Sequence, residues 1–380
     1  MEILEELKRC LGCKISPCAK ACPLGVSPHD FIKTALADDY PTAAAQIASR
    51  NPLPQTCGLI CPDTFCQRAC IRAKIDKAIE IPCLQAYVMQ RGGLPPLSLP
   101  SPNGKKVAII GGGPAGLGAL YEFIINGWKV DLYEKSSSLG GSIRLIPERR
   151  LPQTVRQKEI NRLIDNDRVT VYLNTEITDW NKLKNNYDGM VIAIGETKPR
   201  NLNISGEENC LPYATYLSNP QQFRPQHQQK VAVIGGGEVA LDCALTLKEQ
   251  GFEQIEMFVR RQESDMRIMK RDHEELSHQN ICIRALTSIT KIEKNAGSYT
   301  LTTVSNQINE QGKAEHLMNT QKVENGYELL VMALGSYFPQ EDLPTAIPCA
   351  GDMTGQCGTA VQALASGRKQ ARTVIEETLK

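Results

Sequence analysis

Two stretches of this chain echo one another, and together they constrain the fold more than any other feature. Lys105-Lys106-Val107-Ala108-Ile109-Ile110-Gly111-Gly112-Gly113 is answered by Gln229-Lys230-Val231-Ala232-Val233-Ile234-Gly235-Gly236-Gly237. Each is a short apolar, β-branched run, then glycines, then a helix-forming stretch. They lie 124 residues apart, too far for a solenoid repeat and suited to two separate nucleotide-binding domains. Strand-like runs ending in glycine, Gly189 to Gly195 and Leu329 to Gly335, lie between and after them. Strands alternating with helices predict α/β layers around parallel sheets.

The first echo carries Gly111-Gly112-Gly113-Pro114-Ala115-Gly116, a G-x-G-x-x-G between a strand and a helix. Gly111 permits the tight turn, Gly113 lets a pyrophosphate approach the backbone, and Gly116 lets helix and strand pack closely. The free N–H groups of the helix N-terminus then face the phosphates. The next strand, Lys129 to Glu134, ends in an acid placed to bond ribose hydroxyls, the pattern for FAD or NAD. The second echo, Gly235-Gly236-Gly237-Glu238-Val239-Ala240, has alanine at the third position, an allowed variant. Its following strand, Gln254 to Val259, ends in Arg260-Arg261, with Arg267 close behind. Guanidinium groups match phosphate oxygens bidentately, so this site is expected to prefer NADP(H), with NAD(H) the alternative. A solvated basic turn at a strand end is the blander reading.

The chain has fourteen cysteines, and nine fall at or before Cys83. The charged start, Met1 to Arg9, shows no signal-peptide core, so a cytoplasmic chain with reduced thiols is expected. The stretch Val107 to Ile125 holds glycines, a proline and Glu122, and reads as strand–turn–helix rather than a membrane span. Lysine and arginine number 43 against 42 acids, which gives no global field toward nucleic acid or membrane. Dense, regularly spaced thiols then point to metal before disulfides. Cys10-x2-Cys13-x4-Cys18-x3-Cys22-Pro23 resembles a cluster-binding run, and Cys57, Cys61-Pro62, Cys66 and Cys70 supply a second set. Two structural zinc ions are the competing reading. Short helical patterns cover 30–36 and 42–48, and the Pro/Gly-rich run 92–104 reads as a linker. The five histidines, His29, His227, His273, His278 and His316, form no cluster.

Taken together, Asn51 to Pro62, Ile146 to Pro152, Cys349-Ala350-Gly351-Asp352, Thr359 to Ala363 and Gly367-Arg368-Lys369 resemble the N-terminal half of dihydropyrimidine dehydrogenase and the small subunit of bacterial glutamate synthase. The resemblance covers essentially the whole chain. It implies one [4Fe-4S] cluster on Cys10, Cys13, Cys18 and Cys70, and a second on Cys22, Cys61, Cys66 and Gln85, with Cys83 the rival to Gln85. It implies FAD on Gly111, Gly113, Pro114, Ala115, Gly116, Glu134, Gly141, Arg150, Asp352, Thr359, Ala360 and Val361. It implies NADP(H) on Gly235, Gly237, Glu238, Val239, Ala240, Arg260, Arg261 and Arg267, with Gly335 and Ser336 on the nicotinamide side. The four-residue gap between Cys61 and Cys66 departs from the family's spacing.

The expected fold is α/β. An α-helical iron–sulfur domain with two clusters (1–100) precedes two Rossmann-like domains: one for FAD (101–225 and 336–380), with one for NAD(P)H (226–335) inserted in it. The expected activity is oxidation of NAD(P)H and transfer of electrons to a partner catalytic subunit. That partner would be of dihydropyrimidine dehydrogenase type and FMN-containing, or else a glutamate synthase large subunit. No FMN barrel is legible in the chain itself, and no catalytic acid or base is obligatory. A thioredoxin-reductase-like reading would need a C-x-x-C beside the flavin, and the cysteines after the linker lack that spacing. A nucleotide-sensing scaffold with structural zinc is the non-catalytic alternative.

Overall fold

The computed structural model describes residues 3–225 and 230–378, and the side chain of Lys270 is not among them. His227 and Gln229 therefore lie outside the described residues. The chain divides into two compact units. One comprises Met1–Arg144, Glu148–Thr197 and Tyr337–Lys380; the other comprises Leu145–Pro147 and Lys198–Ser336.

The first unit opens with six helices: α1 (Ile3–Lys8), α2 (Pro17–Ala21), α3 (Pro28–Leu36), α4 (Tyr40–Ala48), α5 (Pro54–Ile60) and α6 (Ile81–Gly92). Five of them, α2 to α6, carry proline in the first turn, where a missing N–H costs nothing and the fixed φ already suits a helix. Asp39 also caps α4 by accepting from the Thr42 N–H at 3.1 Å. The linker follows α6, whose end is marked by Gly93 at φ +77°.

A parallel four-stranded sheet comes next, in the order β3-β2-β1-β4. Its strands are β1 (Lys106–Ile110), β2 (Lys129–Tyr133), β3 (Val169–Tyr172) and β4 (Gly189–Ile192). Val107, Ala108 and Ile109 in β1 are fully buried, as a central strand covered on both faces should be. Helix α7 (Pro114–Ile125) links β1 to β2, and α8 (Gln153–Ile164) precedes β3. The chain returns at its C-terminus to extend the sheet edge: Ile192 N–H donates to the Pro348 carbonyl at 2.9 Å, and Ala350 N–H to the Ile192 carbonyl at 2.8 Å. The final helix, Ala360–Thr378, lies directly on α7. A Cβ at Gly367 would strike the Ala115 carbonyl, and one at Gly118 the Leu364 carbonyl, so glycine permits this close backbone approach.

The second unit holds a seven-stranded sheet. Three neighbouring strands, Lys230–Ile234, Gln254–Val259 and Cys282–Ala285, run parallel. Lys230–Ile234 also pairs in parallel with the end of Ala314–Met332. That long strand belongs to an antiparallel meander with Ser298–Ile308 and Thr287–Asn295. The helix Glu238–Glu249 follows the second glycine turn. Among the described residues no helix is long and apolar enough to cross a membrane.

Candidate functional site

In the first unit, the β1–α7 turn is built as its sequence suggests. Gly111 has φ +104°, and a Cβ there would meet the Ala193 carbonyl, so only glycine fits. A Cβ on Gly116 would drive into the Gly111 carbonyl, which fixes how closely helix and turn pack. Gly113 stands at the helix N-cap with no side-chain cap bond, leaving the first-turn N–H groups free for an anion. Gly141 faces it: a Cβ on Gly141 would sit 2.8 Å from the Gly113 Cα. Two bare backbones thus form a cradle with no side chain between them. Pro114 and Ala115 begin α7 and are buried.

Glu134 follows β2 and is buried. Its Oε2 accepts from the Gly112 N–H at 2.8 Å and its Oε1 from the Ser136 N–H at 2.8 Å. Each carboxylate oxygen keeps a further lone pair, so a ribose hydroxyl can still donate to it. Asp352 belongs to the turn beside α7, since a Cβ on neighbouring Gly351 would lie 2.7 Å from the Ala115 Cβ. Its Oδ1 is buried without a hydrogen-bond partner, and burial pushes its carboxyl above the usual range. A buried, unsatisfied polar atom costs about 1–3 kcal/mol, so this oxygen calls for a donor such as a hydroxyl. Thr359 caps the C-terminal helix through its Oγ1, which accepts from the Gln362 N–H at 3.3 Å; Ala360 and Val361 form that helix's first turn. Gly111, Gly113, Pro114, Ala115, Gly116, Glu134, Gly141 and Asp352 are thus brought around one turn. Arg150 is half-buried just ahead of α8.

The thiols fall into two groups. Cys10, Cys13, Cys18 and Cys70 line one pocket, together with Leu11, Ile32, Ile71 and Ile79. Cys70 comes from a turn far along the chain, so the pocket closes only in the folded domain. Burial pushes the Cys10 and Cys18 thiols up, and the charges of Cys70 and its companions push the same way. Crowded thiols of this kind resist ionisation until a cationic centre offsets their charge. Among the described residues no three His, Cys, Asp or Glu groups converge on one point as a single metal ion requires.

The second group joins Cys22, Cys61 and Cys66. Burial, then the charge of Cys22, pushes the Cys66 thiol up to about 12. The Cys61 thiol is raised well above its ordinary value, first by its hydrogen bond with Cys57, then by burial and by the charges of Cys57, Cys66 and Cys22. Cys57 is therefore a fourth thiol at this place. The signal for it is helical: Cys57 and Cys61 stand four residues apart at α5 and its C-cap, the spacing that puts two side chains on one face. Gln85 lies on α6 against the first turn of α5, where its Nε2 donates to the Pro54 carbonyl at 2.6 Å. Cys83, two residues earlier, is half-buried.

Sequence reasoning missed Glu159. This α8 carboxylate is buried and accepts from the Gln55 N–H at 2.5 Å and the Thr56 N–H at 3.0 Å, so it caps α5 from more than a hundred residues away. Burial pushes its carboxyl up to about 7.

In the second unit, Gly235 repeats the turn, with φ +145° and a Cβ position that would meet the Ala333 carbonyl. Gly237 caps the Glu238–Glu249 helix, and nothing lies within 4 Å of the Cβ it lacks. The space over this turn is open. Glu238 and Val239 are half-buried in the first turn, and Ala240 is fully buried. Arg267 pairs with Gly237 in a short bridge, its N–H donating to the Gly236 carbonyl at 3.0 Å. Arg260 directly follows the strand that accepts the Gly235 N–H through Phe258. The structure therefore brings Arg260 and Arg267 to the glycine turn with exposed side chains, while Arg261 is half-buried. Gly335 and Ser336 follow the neighbouring strand; Ser336 Oγ shares a 3.1 Å hydrogen bond with Tyr213.

Two glycine turns at strand ends, one with an acid beyond the next strand and one with arginines, together with paired thiol groups, define a nucleotide-binding redox protein with an iron–sulfur region. Comparison bears this out. The family described as pyridine nucleotide-disulphide oxidoreductase matches residues 105–336, and the chain belongs to it. The iron–sulfur family described as dihydropyrimidine dehydrogenase domain II, 4Fe-4S cluster, matches residues 1–92. The chain is 29% identical to a protein of Salmonella typhi named NAD-dependent dihydropyrimidine dehydrogenase subunit PreT homolog, over 98% of this chain and 93% of that one. It is 34% identical to the Escherichia coli K12 protein named NAD-dependent dihydropyrimidine dehydrogenase subunit PreT, over 66% of this chain and 63% of that one. Among solved structures, Mycobacterium tuberculosis FprA in complex with NADPH superposes with a TM-score of 0.63 at 16% identity, over 72% of this chain and 84% of that one. The chain is an NAD(P)H-dependent flavoprotein oxidoreductase of the electron-transfer kind, with a four-iron cluster region at its N-terminus.

Proposed function

We propose that this chain oxidises NAD(P)H and delivers the electrons one at a time to a partner catalytic subunit, of dihydropyrimidine dehydrogenase type in the first instance and of glutamate synthase type in the second. What carries the reading is a single juxtaposition: four cysteines line one pocket in the same compact unit as the Gly111–Gly116 turn and its acid. The names of the relatives, given as subunits of a dihydropyrimidine dehydrogenase, support the choice of partner.

The residues would divide the work as follows. The Gly113–Gly141 cradle and the α7 N-terminus hold a pyrophosphate, Glu134 takes ribose hydroxyls, Asp352 takes a further hydroxyl, and Arg150 and the Thr359–Val361 turn complete the FAD seat. In the second unit Gly235, Gly237, Glu238, Val239 and Ala240 seat the nicotinamide dinucleotide, Arg260, Arg261 and Arg267 take a 2′-phosphate, and Gly335 and Ser336 edge the nicotinamide. Cys10, Cys13, Cys18 and Cys70 hold one [4Fe-4S] cluster, and Cys22, Cys61, Cys66 and Gln85 a second. When bound, FAD supplies the step from hydride to single electrons and the clusters carry those electrons onward. The protein positions these groups, excludes water and sets their potentials through burial and hydrogen bonds. No side chain need move a proton at the reacting carbon.

Anaerobically purified protein should hold one FAD, with about eight iron and about eight acid-labile sulfide per chain. Zinc without sulfide would instead establish a structural metal domain and end the electron-transfer reading.

A further inference from the structure

The first thiol pocket opens on a surface that a solvated face does not explain. Ile15 is 67% exposed and Ile75 65%, with Leu11 at 43% and Ile71 at 38%. Leu11 and Ile71 line the pocket themselves. Ile15 falls between pocket-lining Cys13 and Ser16. Ile75 closes the Ile71–Lys74 turn, its N–H bonded to the carbonyl of Arg72, another lining residue. Scattered exposed hydrophobes are ordinary, but four converging on one opening mark an interaction site.

The unpaired charge around this patch is mainly basic. Lys14, Lys20, Arg68 and Lys74 are exposed, and none has an ion-pair partner among the described residues. The nearby acids are engaged: Asp76 pairs with Arg9 and Arg72, Glu6 with Arg9, and Glu80 with Lys77. Asp63, half-buried, and Asp30, exposed beside the pocket-lining His29, are the remaining carboxylates close in sequence. The whole chain is nearly neutral at +1, so this basic rim is a local arrangement rather than a general excess.

We propose that the face around Leu11, Ile15, Ile71 and Ile75 is where the chain docks its electron-accepting partner, and that the partner presents an apolar centre ringed by carboxylates. The inference rests on the functional reading above, which makes the Cys10–Cys70 pocket a cluster seat. An apolar centre with a charged rim is the usual anatomy of a protein interface. Opposite rims on the two partners speed encounter and fix orientation. Electrons would leave through the pocket whose own lining forms the contact. One electron would pass per encounter, so that this protein is oxidised by one electron and the partner's centre is reduced by one.

Cytochrome c in two forms tests this on the holoenzyme under anaerobic conditions. The native form presents lysines and the succinylated form presents carboxylates around the same haem. At low ionic strength, NAD(P)H-driven reduction of the succinylated form should be about tenfold faster, as electrostatic steering allows. High salt should close that gap. Lys14→Glu with Lys74→Glu should abolish or reverse the preference, and Ile15→Ser with Ile75→Ser should lower kcat/KM for both forms. Stopped-flow reduction of the flavin should stay unchanged in every variant. Equal rates with both cytochromes, or a preference indifferent to the lysine changes, would overturn the inference. So would a dimer that dissociates in the isoleucine variant while its cytochrome rates hold, because the face would then seat a second copy of this chain. Protein lacking iron and sulfide fails the functional reading; protein that has both and shows no charge preference fails this inference alone.

Discussion

Replacing Arg260 and Arg267 with alanine tests the nucleotide choice most directly. Arg267 is tied by its backbone to Gly236, the turn whose open Gly237 cradle would seat a pyrophosphate. Arg260 leaves the strand next to that turn, and none of Arg260, Arg261 and Arg267 is held in an ion pair among the described residues. Their guanidinium groups are therefore available to a phosphate. NADPH differs from NADH by a 2′-phosphate carrying nearly two charges. A charge-assisted hydrogen bond contributes about 1.5–3 kcal/mol, and the exposure of both side chains points to the lower end. About 1.5 kcal/mol each is about tenfold in affinity per arginine, and about a hundredfold for the pair if the two add. The KM for NADPH should rise by that factor while the KM for NADH barely moves. The contact is remote from the transferred hydride and equal in ground and transition states, so kcat should change little. Salt should weaken NADPH binding more than NADH binding. Stopped-flow flavin reduction with both nucleotides decides the matter. Wild-type protein that prefers NADH, as the names of two relatives state for those proteins, would refute the reasoning. So would alanine variants that keep full NADPH affinity.

Two further outcomes follow from the first unit. Gln85→Ala should disturb one cluster while Cys83→Ala leaves both intact in iron content and electron paramagnetic resonance; the reverse pattern moves the fourth ligand to Cys83, and loss of a cluster in Cys57→Ala moves it to the thiol beside Cys61. Glu159, raised from 4.5 to about 7, should make stability depend on pH: its contribution is full below about pH 4.5 and is lost as pH rises through about 7. At 1.36 kcal/mol per unit this amounts to about 3 kcal/mol, so urea unfolding at pH 5 and pH 8 should differ by about that much more in wild type than in Glu159→Gln; equal slopes would sink the assignment.

What could be read from the sequence was what neighbouring residues decide among themselves. Both glycine turns formed where the pattern placed them, because a positive φ and a close carbonyl are local demands met within a few residues. The helices expected over 30–36 and 42–48 formed for the same reason. Glu134 reached its turn because a strand and its crossover fix the distance. The long meander of the second unit was hidden: only the end of the Ala314–Met332 strand, from Leu329, showed an apolar run, since its exposed middle alternates polar with small or aliphatic residues. Cys70 joining Cys10 was legible only through the family resemblance, because it depends on how helices pack and no spacing rule contains that. Glu159 was invisible because a lone acid in a helical pattern reads as solvated, and only the fold turns it inward.

That inward acid is part of a wider arrangement. Three helices of the dinucleotide fold bond the backbone of one segment just ahead of the second thiol group. Tyr121 in α7 donates through its hydroxyl to the Ser49 carbonyl at 3.0 Å. Arg368 in the C-terminal helix donates to the Arg50 carbonyl while holding Glu122 of α7 at 2.7 Å. Glu159 in α8 takes the Gln55 and Thr56 amides. Here the partners of these backbone groups come from helices packed around the first sheet rather than from the helical domain itself. Directional bonds of this kind fix orientation where apolar contact alone would let helices slide. Helix α5, which carries Cys57 and ends at Cys61, is therefore registered against α8, and the segment just ahead of it is tied to α7, which carries the Gly113 cradle. An electron-transfer chain needs that constancy, because its parts must keep their separation while charge passes between them. The same bonds explain why a helical region joined through a Pro/Gly-rich linker belongs to one compact unit with the sheet that follows it.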